Sequence, residues 1–171
     1  LNTSFIGRLG DDDASKYLKS ELRKFNIEHK DVIFIKGAQS SQSYVYEDKN
    51  GERLLAAFSE KKLLNNKKLP KIEFTKNTTF VTDLRWVEAT LYIAKNCQKK
   101  KLNQIVDLDN YKLNTKVKQI INLCSHPIFS ETGSFEYTKI KSIIGSLKKM
   151  YSIKNKFYAI TAGNKGVYWI E

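Results

Sequence analysis

TFVTDLRWVEATLYIAKNCQKKKLNQIVDL, residues 79–108, is the stretch that decides the fold of this chain. A short β-type run, Thr79–Thr82, precedes a helical pattern over Val87–Cys97, and a second β-type run follows at Gln104–Leu108. In the helical segment the apolar residues recur at the spacing of one helix face. A strand, a helix and a second strand in this order predict two parallel strands joined by a crossover helix.

The same alternation continues to the end of the sequence. We predict a helix over Val117–Leu123, a strand end at Pro127–Phe129, a long helix over Tyr137–Tyr151 and a strand over Phe157–Thr161, before a last run at Val167–Ile170. Strands that alternate with helices predict an α/β fold whose parallel sheet is covered on both faces. In such sheets ligands lie at the carboxyl ends of the strands.

The segment before this alternation has a different pattern. It predicts a helix over Asp13–Phe25, a β-type run at Val32–Ile35, and a β-hairpin over Ser43–Phe58 that turns at an Asn-Gly pair. The lysine-rich stretch Glu60–Lys71 is predicted to be a solvated connector or a short helix. No linker long enough to separate two domains follows, so we expect one domain.

Composition narrows the class of protein. A chain of 171 residues that is 41% hydrophobic can bury one substantial core. No apolar run approaches the roughly 18 residues that a membrane span needs, and no secretory signal pattern is present at the start, so we expect a cytoplasmic protein that does not enter a membrane. Cys97 and Cys124 lie far apart without a Cys or His at ligand spacing, which predicts neither a zinc site nor a disulfide.

The net charge of +12 raises nucleic acid as a partner, because clustered cations release counterions from phosphates. Only 4 of the 30 basic residues are arginines, and the lysines are spread along the chain. No motif interleaves basic and aromatic residues. We therefore do not expect a nucleic-acid partner, and a basic nucleic-acid binder stays the least favoured alternative.

Acidic, hydroxyl and glycine residues collect directly after the predicted strands. In chain order these segments are Asp83-Leu84-Arg85-Trp86, Asp107-Leu108-Asp109, Ser130-Glu131-Thr132-Gly133 and Thr161-Ala162-Gly163-Asn164-Lys165-Gly166. Arg85 can pair bidentately with an anion, the carboxylates can bind hydroxyls or hydrated magnesium, and the glycines allow close backbone approach. Each also has a structural explanation, since glycines end many strands and an Asp after a strand is as often a helix cap as a ligand.

Three motifs resemble the ribokinase (PfkB) carbohydrate kinase family. Phe5–Asp13, FIGRLGDDD, is similar to the family's iGrvGdD segment, with Ser15 near a position where the family usually has glycine. Asp48–Arg53, DKNGER, resembles the DxxGeR of the family's lid hairpin, and Thr161–Gly166, TAGNKG, resembles its TxGxxG nucleotide-site turn. The motifs occur in the family's order and cover nearly the whole chain.

The resemblance implies a ribokinase-like three-layer α/β sandwich, here a partial one with a mostly parallel sheet and a β-hairpin lid. The lid would occupy about residues 32–58 and the nucleotide-side βα units about residues 79–171 of one incomplete kinase domain. In the family the lid often serves as a dimer interface, so a homodimer is implied. ATP, Mg²⁺ and a small sugar are the implied cofactors and substrate.

The resemblance also implies site residues. At the nucleotide site these are Thr161, Gly163, Gly166 and Asp109, and Glu131 is the candidate near the family's magnesium-linked motif. No residue of this chain is assigned as the catalytic base, because the family's catalytic Asp belongs to a GAGD segment that would lie beyond residue 171.

Four further segments are similar to the sulfofructose kinase branch of the family. They are Gln39-Ser40-Ser41-Gln42-Ser43, Asp83-Leu84-Arg85-Trp86, Val106-Asp107-Leu108-Asp109 and Phe129-Ser130-Glu131. In that branch the Arg of the DxRW segment helps to hold the sulfonate, which would give Arg85 this role, with Ser41, Ser43 and Asp83 as further substrate-binding residues. Ala57 stands where the branch has an Asn, so the identity of the sugar stays open.

Two readings of the whole chain follow. In the first, the chain is an internal fragment of a sugar kinase, because it opens directly on a glycine-containing strand end and the resemblance places catalytic residues further along; these residues alone would be inactive. In the second, it is a degenerate kinase that binds nucleotide or sugar without catalysis. An isolated fragment of this kind would expose sheet edges and apolar faces, and we expect it to associate.

Overall fold

The computed structural model describes residues 2–109 and 111–171, which are divided between two compact units. One unit ends at Ile72 and the other is Glu73–Glu171. The division follows the lysine-rich stretch, where the sequence has no long linker. Each unit has its own strands and its own buried core.

In the first unit a helix connects two parallel strands. β1 (Arg8–Gly10) pairs with β2 (Ile33–Ile35), and α1 (Asp13–Lys24) lies between them in the chain. The helix begins where the sequence predicts, because the Asp12 carboxylate accepts a hydrogen bond from the Ser15 amide at its first turn. A small core of Ile35, Ala38 and Leu63 is buried in this unit.

The predicted β-hairpin is confirmed. β3 (Gln42–Glu47) and β4 (Arg53–Phe58) form an antiparallel ladder, and every residue of both strands is exposed. At its turn the Asp48 carboxylate accepts from the amides of Asn50 and Glu52. The hairpin is narrower than the range 32–58, because β2 pairs with β1 and not with the hairpin. The short helix α2 (Lys61–Leu64) follows it.

The second unit contains a five-stranded sheet whose strands occur in chain order. The strands are β5 (Thr79–Thr82), β6 (Asn103–Leu108), β7 (His126–Ser130), β8 (Tyr158–Thr161) and β9 (Val167–Ile170). β5 to β8 run parallel, and β9 runs antiparallel to β8 after a three-residue 3₁₀ turn. The mostly parallel sheet predicted from the sequence is therefore confirmed.

Four helices connect these strands. They are α3 (Val87–Lys100), α4 (Thr115–Leu123), α5 (Glu131–Thr138) and α6 (Ile143–Ile153). α3 has 14 residues, whereas a membrane span needs about 20. In the described parts of the chain, no helix combines the length and the apolar character required to cross a membrane.

The single long helix predicted over Tyr137–Tyr151 is wrong. α5 ends at Thr138, and the residue at its C-cap, Lys139, has the left-handed conformation (φ 61°). The Thr138 hydroxyl accepts from the Ile140 amide at 3.1 Å, and this bond replaces a helical one. Ser142 then caps α6 by accepting from the Gly145 amide at 3.2 Å. Side-chain oxygens thus break one apolar periodicity into two helices.

The core of the second unit lies on one face of its sheet. The strand residues in this core are Val106, Leu108, Phe129, Tyr158 and Ile160, and α4 and α6 contribute Val117, Ile120, Ile121, Leu147 and Met150. On the opposite face Val81 is 74% exposed and Trp169 is 63% exposed. Among the described residues of this unit, helices therefore cover one face of the sheet and not both as expected.

Candidate functional site

The carboxyl ends of four parallel strands meet at one edge of the five-stranded sheet. The predicted site residues follow these ends in spatial order: Asp83 and Arg85 after β5, Asp109 after β6, Glu131 after β7, and Thr161, Gly163 and Gly166 at and after the end of β8. We call these residues the strand-end row. The structure thus places all the predicted site residues except Ser41 and Ser43 along one edge.

Asp83 and Arg85 form the first part of the strand-end row. The Arg85 amide donates to Asp83 Oδ1 at 2.9 Å, and the buried Thr90 hydroxyl donates to the Asp83 carbonyl at 2.6 Å. α3 begins at Val87, and Trp86 is at its N-cap without a side-chain hydrogen bond, so Asp83 is not its helix cap. The Arg85 side chain is exposed, and its guanidinium makes no hydrogen bond or ion pair within the described residues. It is therefore available to an anion.

The segment Ser130–Gly133 is the start of a helix and not a loop. Ser130 ends β7 and caps α5 by accepting from the Gly133 amide at 3.0 Å. Glu131 lies in the first turn of α5 and is exposed, where a carboxylate is favoured by the helix dipole. A Cβ on Gly133 would lie 2.5 Å from the Leu108 carbonyl oxygen. Gly133 is therefore explained by packing.

Tyr111 ties the loop after β6 to α5. Its hydroxyl donates to the Gly133 carbonyl at 2.7 Å, and its ring packs edge-on against Phe129. Burial raises the pKa of Tyr111, so it stays a donor at neutral pH. The loop that carries the exposed Asp109 is thereby anchored to the helix that carries Glu131. Tyr111 could not be identified from the sequence, because a tyrosine in a polar loop carries no local signal for this bond.

Asp109 and Glu131 are the carboxylates of this row that suit Mg²⁺. Nowhere in residues 2–109 and 111–171 do three His, Cys, Asp or Glu side chains form a group that could hold a metal ion. Mg²⁺ in nucleotide sites is usually bound by one or two carboxylates together with phosphate oxygens and water. Two exposed carboxylates on adjoining strand ends fit that arrangement.

The turn after β8 is open and internally bonded. Gly163 (φ 54°) and Gly166 (φ 89°) take conformations that favour glycine. The Ala162 amide donates to the Gly166 carbonyl at 2.8 Å. A Cβ on either glycine would meet no atom within 4 Å, so a ligand can approach the backbone. The Thr161 hydroxyl donates to the Phe129 carbonyl at 3.3 Å, which fixes the start of the turn to β7.

Ser41 and Ser43 belong to the first unit. Both are exposed; Ser41 precedes the hairpin, and Ser43 is paired with Ala57 in its ladder. The residue just before them, Ser40, is only 3% exposed. The start of the hairpin is therefore anchored at Ser40 while Ser41 and Ser43 remain accessible.

Carboxylates hold the segment that precedes the hairpin. Asp12 Oδ2 accepts from the Ser40 amide at 2.7 Å, and Asp12 Oδ1 accepts from the Ser40 hydroxyl at 2.7 Å and the Ser15 amide at 3.0 Å. Asp11 Oδ1 accepts from the Gly37 amide at 2.8 Å. Glu60 accepts from the Gln39 amide. We call these three carboxylates and the three amides they bind the hairpin clasp.

Gly10 allows this close approach. A Cβ at residue 10 would lie 2.2 Å from the Ala38 carbonyl oxygen and 2.7 Å from the Ser40 amide nitrogen. The Gly10 amide donates to the Ser40 hydroxyl at 3.0 Å, which completes the bonds of that side chain. From the sequence, the acidic run indicates only a favourable helix start, because Asp12 and Ser40 are 28 residues apart.

The first testable prediction concerns pH. Hydrogen bonds from the Ser40 amide, the Ser40 hydroxyl and the Ser15 amide lower the pKa of Asp12 below its ordinary value of 3.8. A lowered folded-state pKa contributes stability that is present above 3.8 and is lost as pH falls through the folded-state value. The protection factor of the Ser40 amide, in which the intrinsic effect of pH on exchange is divided out, should therefore fall on acidification below about pH 4.

An Asp12→Asn variant is the control for this titration. Its exchange at Ser40 should already be fast near neutral pH and should show no such acid step. The neighbouring Asp11, Asp13 and Lys16 are the same in both proteins, so a difference between them is assigned to residue 12. An acid step that persists in the variant would contradict the assignment to Asp12.

The chain matches one family model along its entire length. Residues 1–171 match the model described as pfkB family carbohydrate kinase.

Solved structures with similar folds include three ribokinases. A candidate ribokinase from Agrobacterium tumefaciens is 24% identical with a TM-score of 0.85, covering 98% of this chain and 55% of that one. Arabidopsis thaliana ribokinase complexed with ribose and ATP is 16% identical (TM-score 0.77; 99% and 58% covered). Ribokinase from Cryptococcus neoformans var. grubii serotype A in complex with ADP is 11% identical (TM-score 0.77; 98% and 58% covered). The fold is thus ribokinase-like, and the chain spans little more than half the length of these proteins.

Proposed function

The chain belongs to the pfkB family of carbohydrate kinases, and from this premise we propose that it is part of an ATP-dependent sugar kinase. The kinase transfers the γ-phosphoryl group of ATP to a hydroxyl of a ketose-like or anionic sugar. The strand-end row is the observation that carries this proposal, because it aligns on one edge carboxylates, an open glycine turn and a cation that has no partner in residues 2–109 and 111–171. Such an edge is where open α/β sheets bind their ligands.

The sugar is proposed to bind at the end of the row that begins with β5. Arg85 holds an anionic group on the sugar through its two-pronged guanidinium. One carboxylate oxygen of Asp83 is occupied by the Arg85 amide, which leaves the other to accept from a sugar hydroxyl. Ser41 and Ser43, which belong to the first unit, are proposed as further sugar-binding residues.

The nucleotide is proposed to bind at the opposite end of the row. Thr161, Gly163 and Gly166 surround the open turn after β8, and β5 and β8 are separated by two strands. At the usual strand spacing the two ends lie about 14 Å apart, which leaves room for a sugar and a phosphate chain side by side. The ATP and ADP in the structures of the plant and fungal ribokinases support a nucleotide as a ligand of this fold.

Mg²⁺ is proposed to bind with the nucleotide, held by Glu131 and Asp109. When bound, it would neutralise charge on the phosphate oxygens. The residues of this chain bind and orient the two substrates, and Arg85 places the sugar. None of them is proposed as the base, because the resemblance assigns that role to an aspartate in a segment after residue 171.

The hairpin is proposed to form a homodimer. Tyr44, Tyr46 and Leu54 are exposed on one of its faces, and a two-stranded hairpin has little stability by itself. An exposed apolar face of this kind marks a surface for a partner. A second copy of the same hairpin is the partner that the family resemblance implies. The cytoplasmic location predicted from the sequence is part of the proposal.

The second prediction tests this function. The product of the complete reading frame, identified by its intact mass, should release ADP from Mg·ATP only when a sugar acceptor is added. Neutral ketoses and ketoses carrying a sulfonate or a phosphate should be compared. Binding of ATP without ADP release would favour the degenerate kinase that binds ligand without catalysis. If the protein neither binds ATP nor releases ADP, both readings are wrong.

A further inference from the structure

The segment Gly37–Ser40 connects β2 to the hairpin, and all its amides are bonded. Those of Gly37, Gln39 and Ser40 donate to carboxylates of the hairpin clasp, and that of Ala38 donates to the Ile35 carbonyl at 3.1 Å. In an exposed loop, most amides would bond to water. Here carboxylates supplied from two other parts of the chain hold the backbone.

We propose that Asp12 is a positioning residue that sets, through Ser40, the direction in which the hairpin leaves the sheet. The two oxygens of Asp12 bind two groups of the same residue, the amide and the hydroxyl of Ser40. Two bonds between one carboxylate and one residue define an orientation as well as a distance. Ser41 and Ser43 follow directly, so Asp12 also positions these two residues; their contact with sugar rests on the proposed function.

Asp12 and Ser40 are themselves fixed by further hydrogen bonds. Asp12 caps α1 through the Ser15 amide, and the Ser15 hydroxyl donates back to the Asp12 carbonyl at 2.7 Å. Ser40 is buried and also accepts from the Gly10 amide at the end of β1. The direction of the hairpin is thus fixed relative to the end of β1 and the start of α1, which are regular elements of the same unit.

The hairpin is tied at both of its ends. Glu60 follows β4 and accepts from the Gln39 amide just before β3, and Lys62 donates to the Gly37 carbonyl at 3.1 Å. Every residue of β3 and β4 is exposed, so packing along the strands contributes little to their direction. The bonds at the base therefore determine where the hairpin points.

The test separates positioning from helix capping. Asp12→Ser keeps a good helix cap but is too short to reach both groups of Ser40. Asp13→Asn is the matched control: it removes one exposed carboxylate from the next residue, which pairs only with Lys16 in the described residues. In the 171-residue chain, amide exchange at Gly37, Gln39 and Ser40 should rise about tenfold or more in Asp12→Ser. It should stay unchanged in Asp13→Asn, and α1 should stay protected in both.

Kinetics provide the second measurement, in the product of the complete reading frame. Asp12→Ser should raise the KM for sugar about tenfold while the KM for ATP stays within about twofold, because the clasp and the turn after β8 belong to different segments. Equal changes in both constants, or unchanged exchange at Ser40, would overturn the inference. A wild-type protein without sugar-dependent ADP release would instead refute the proposed function, and the exchange data alone would then decide on the positioning role.

Discussion

Replacing Phe129 by alanine is expected to lower the free energy of unfolding of the unit Glu73–Glu171 by about 3–5 kcal/mol. Phe129 is fully buried in β7, at the centre of the five-stranded sheet. Its ring packs against those of Tyr111 and Tyr137, with centroids 6.4 and 5.7 Å away. Alanine would lose these contacts and leave a cavity that helices on a continuous sheet cannot close.

The measurement is thermal unfolding followed by near-UV circular dichroism. For a unit of this size a loss of 3 kcal/mol corresponds to a decrease of at least about 12 °C in Tm. Phe135→Ala is the matched control, because Phe135 lies on α5 and is 40% exposed. Equal decreases in the two variants would show that β7 is not the centre of the core.

Replacing Arg85 by alanine is expected to lower kcat/KM for an anionic sugar roughly 100-fold in the product of the complete reading frame. The guanidinium has no competing partner within the described residues, so the anion would lose both of its charge-assisted hydrogen bonds. For a neutral ketose the same change should alter kcat/KM by less than about threefold, because no charge pair is lost. Initial rates of ADP release with the two sugars measure this difference.

Two further variants define the chemistry at residue 85. Arg85→Lys keeps the positive charge but not the two parallel N–H donors of the guanidinium. It should show only about a tenth of the wild-type rate with the anionic sugar. Arg23→Ala removes an exposed arginine from the last turn of α1 and should leave both rates unchanged. If Arg85→Ala lowers the rates with neutral and anionic sugars equally, the anion-binding role is wrong.

The elements that local pattern defines were predictable from the sequence. From Thr79 onward the strand and helix periodicities can be recognised in the sequence itself. The Asn50-Gly51 pair is typical of a hairpin turn, and Gly51 takes a positive φ there. The strand-end row was predictable in turn, because parallel strands place their carboxyl ends at one edge. Its occupants Asp83, Arg85, Asp109 and Glu131 could therefore be named without coordinates.

Features that depend on distant residues were not predictable. The break at Lys139 arises from bonds of the Thr138 and Ser142 side chains, which compete with an apolar period that continues through them. The hairpin clasp joins residues 28 positions apart, and its Asp12 looks like an ordinary helix cap. Gly133 was named among the glycines that allow close backbone approach after a strand, and only the nearby Leu108 carbonyl shows that packing requires it.

The order of strands in the second unit has a consequence for biosynthesis. Each strand from β6 to β9 pairs with the strand that precedes it in the chain. A chain leaving the ribosome can therefore add each strand to an edge that already exists, and no strand waits for a partner made later. Each closure spans at most two connecting helices, α5 and α6 between β7 and β8, and because the cost of closing a loop grows only slowly with its length, the entropic cost changes little from step to step. We expect folding intermediates on the ribosome to lengthen one strand at a time, from β5 to β9.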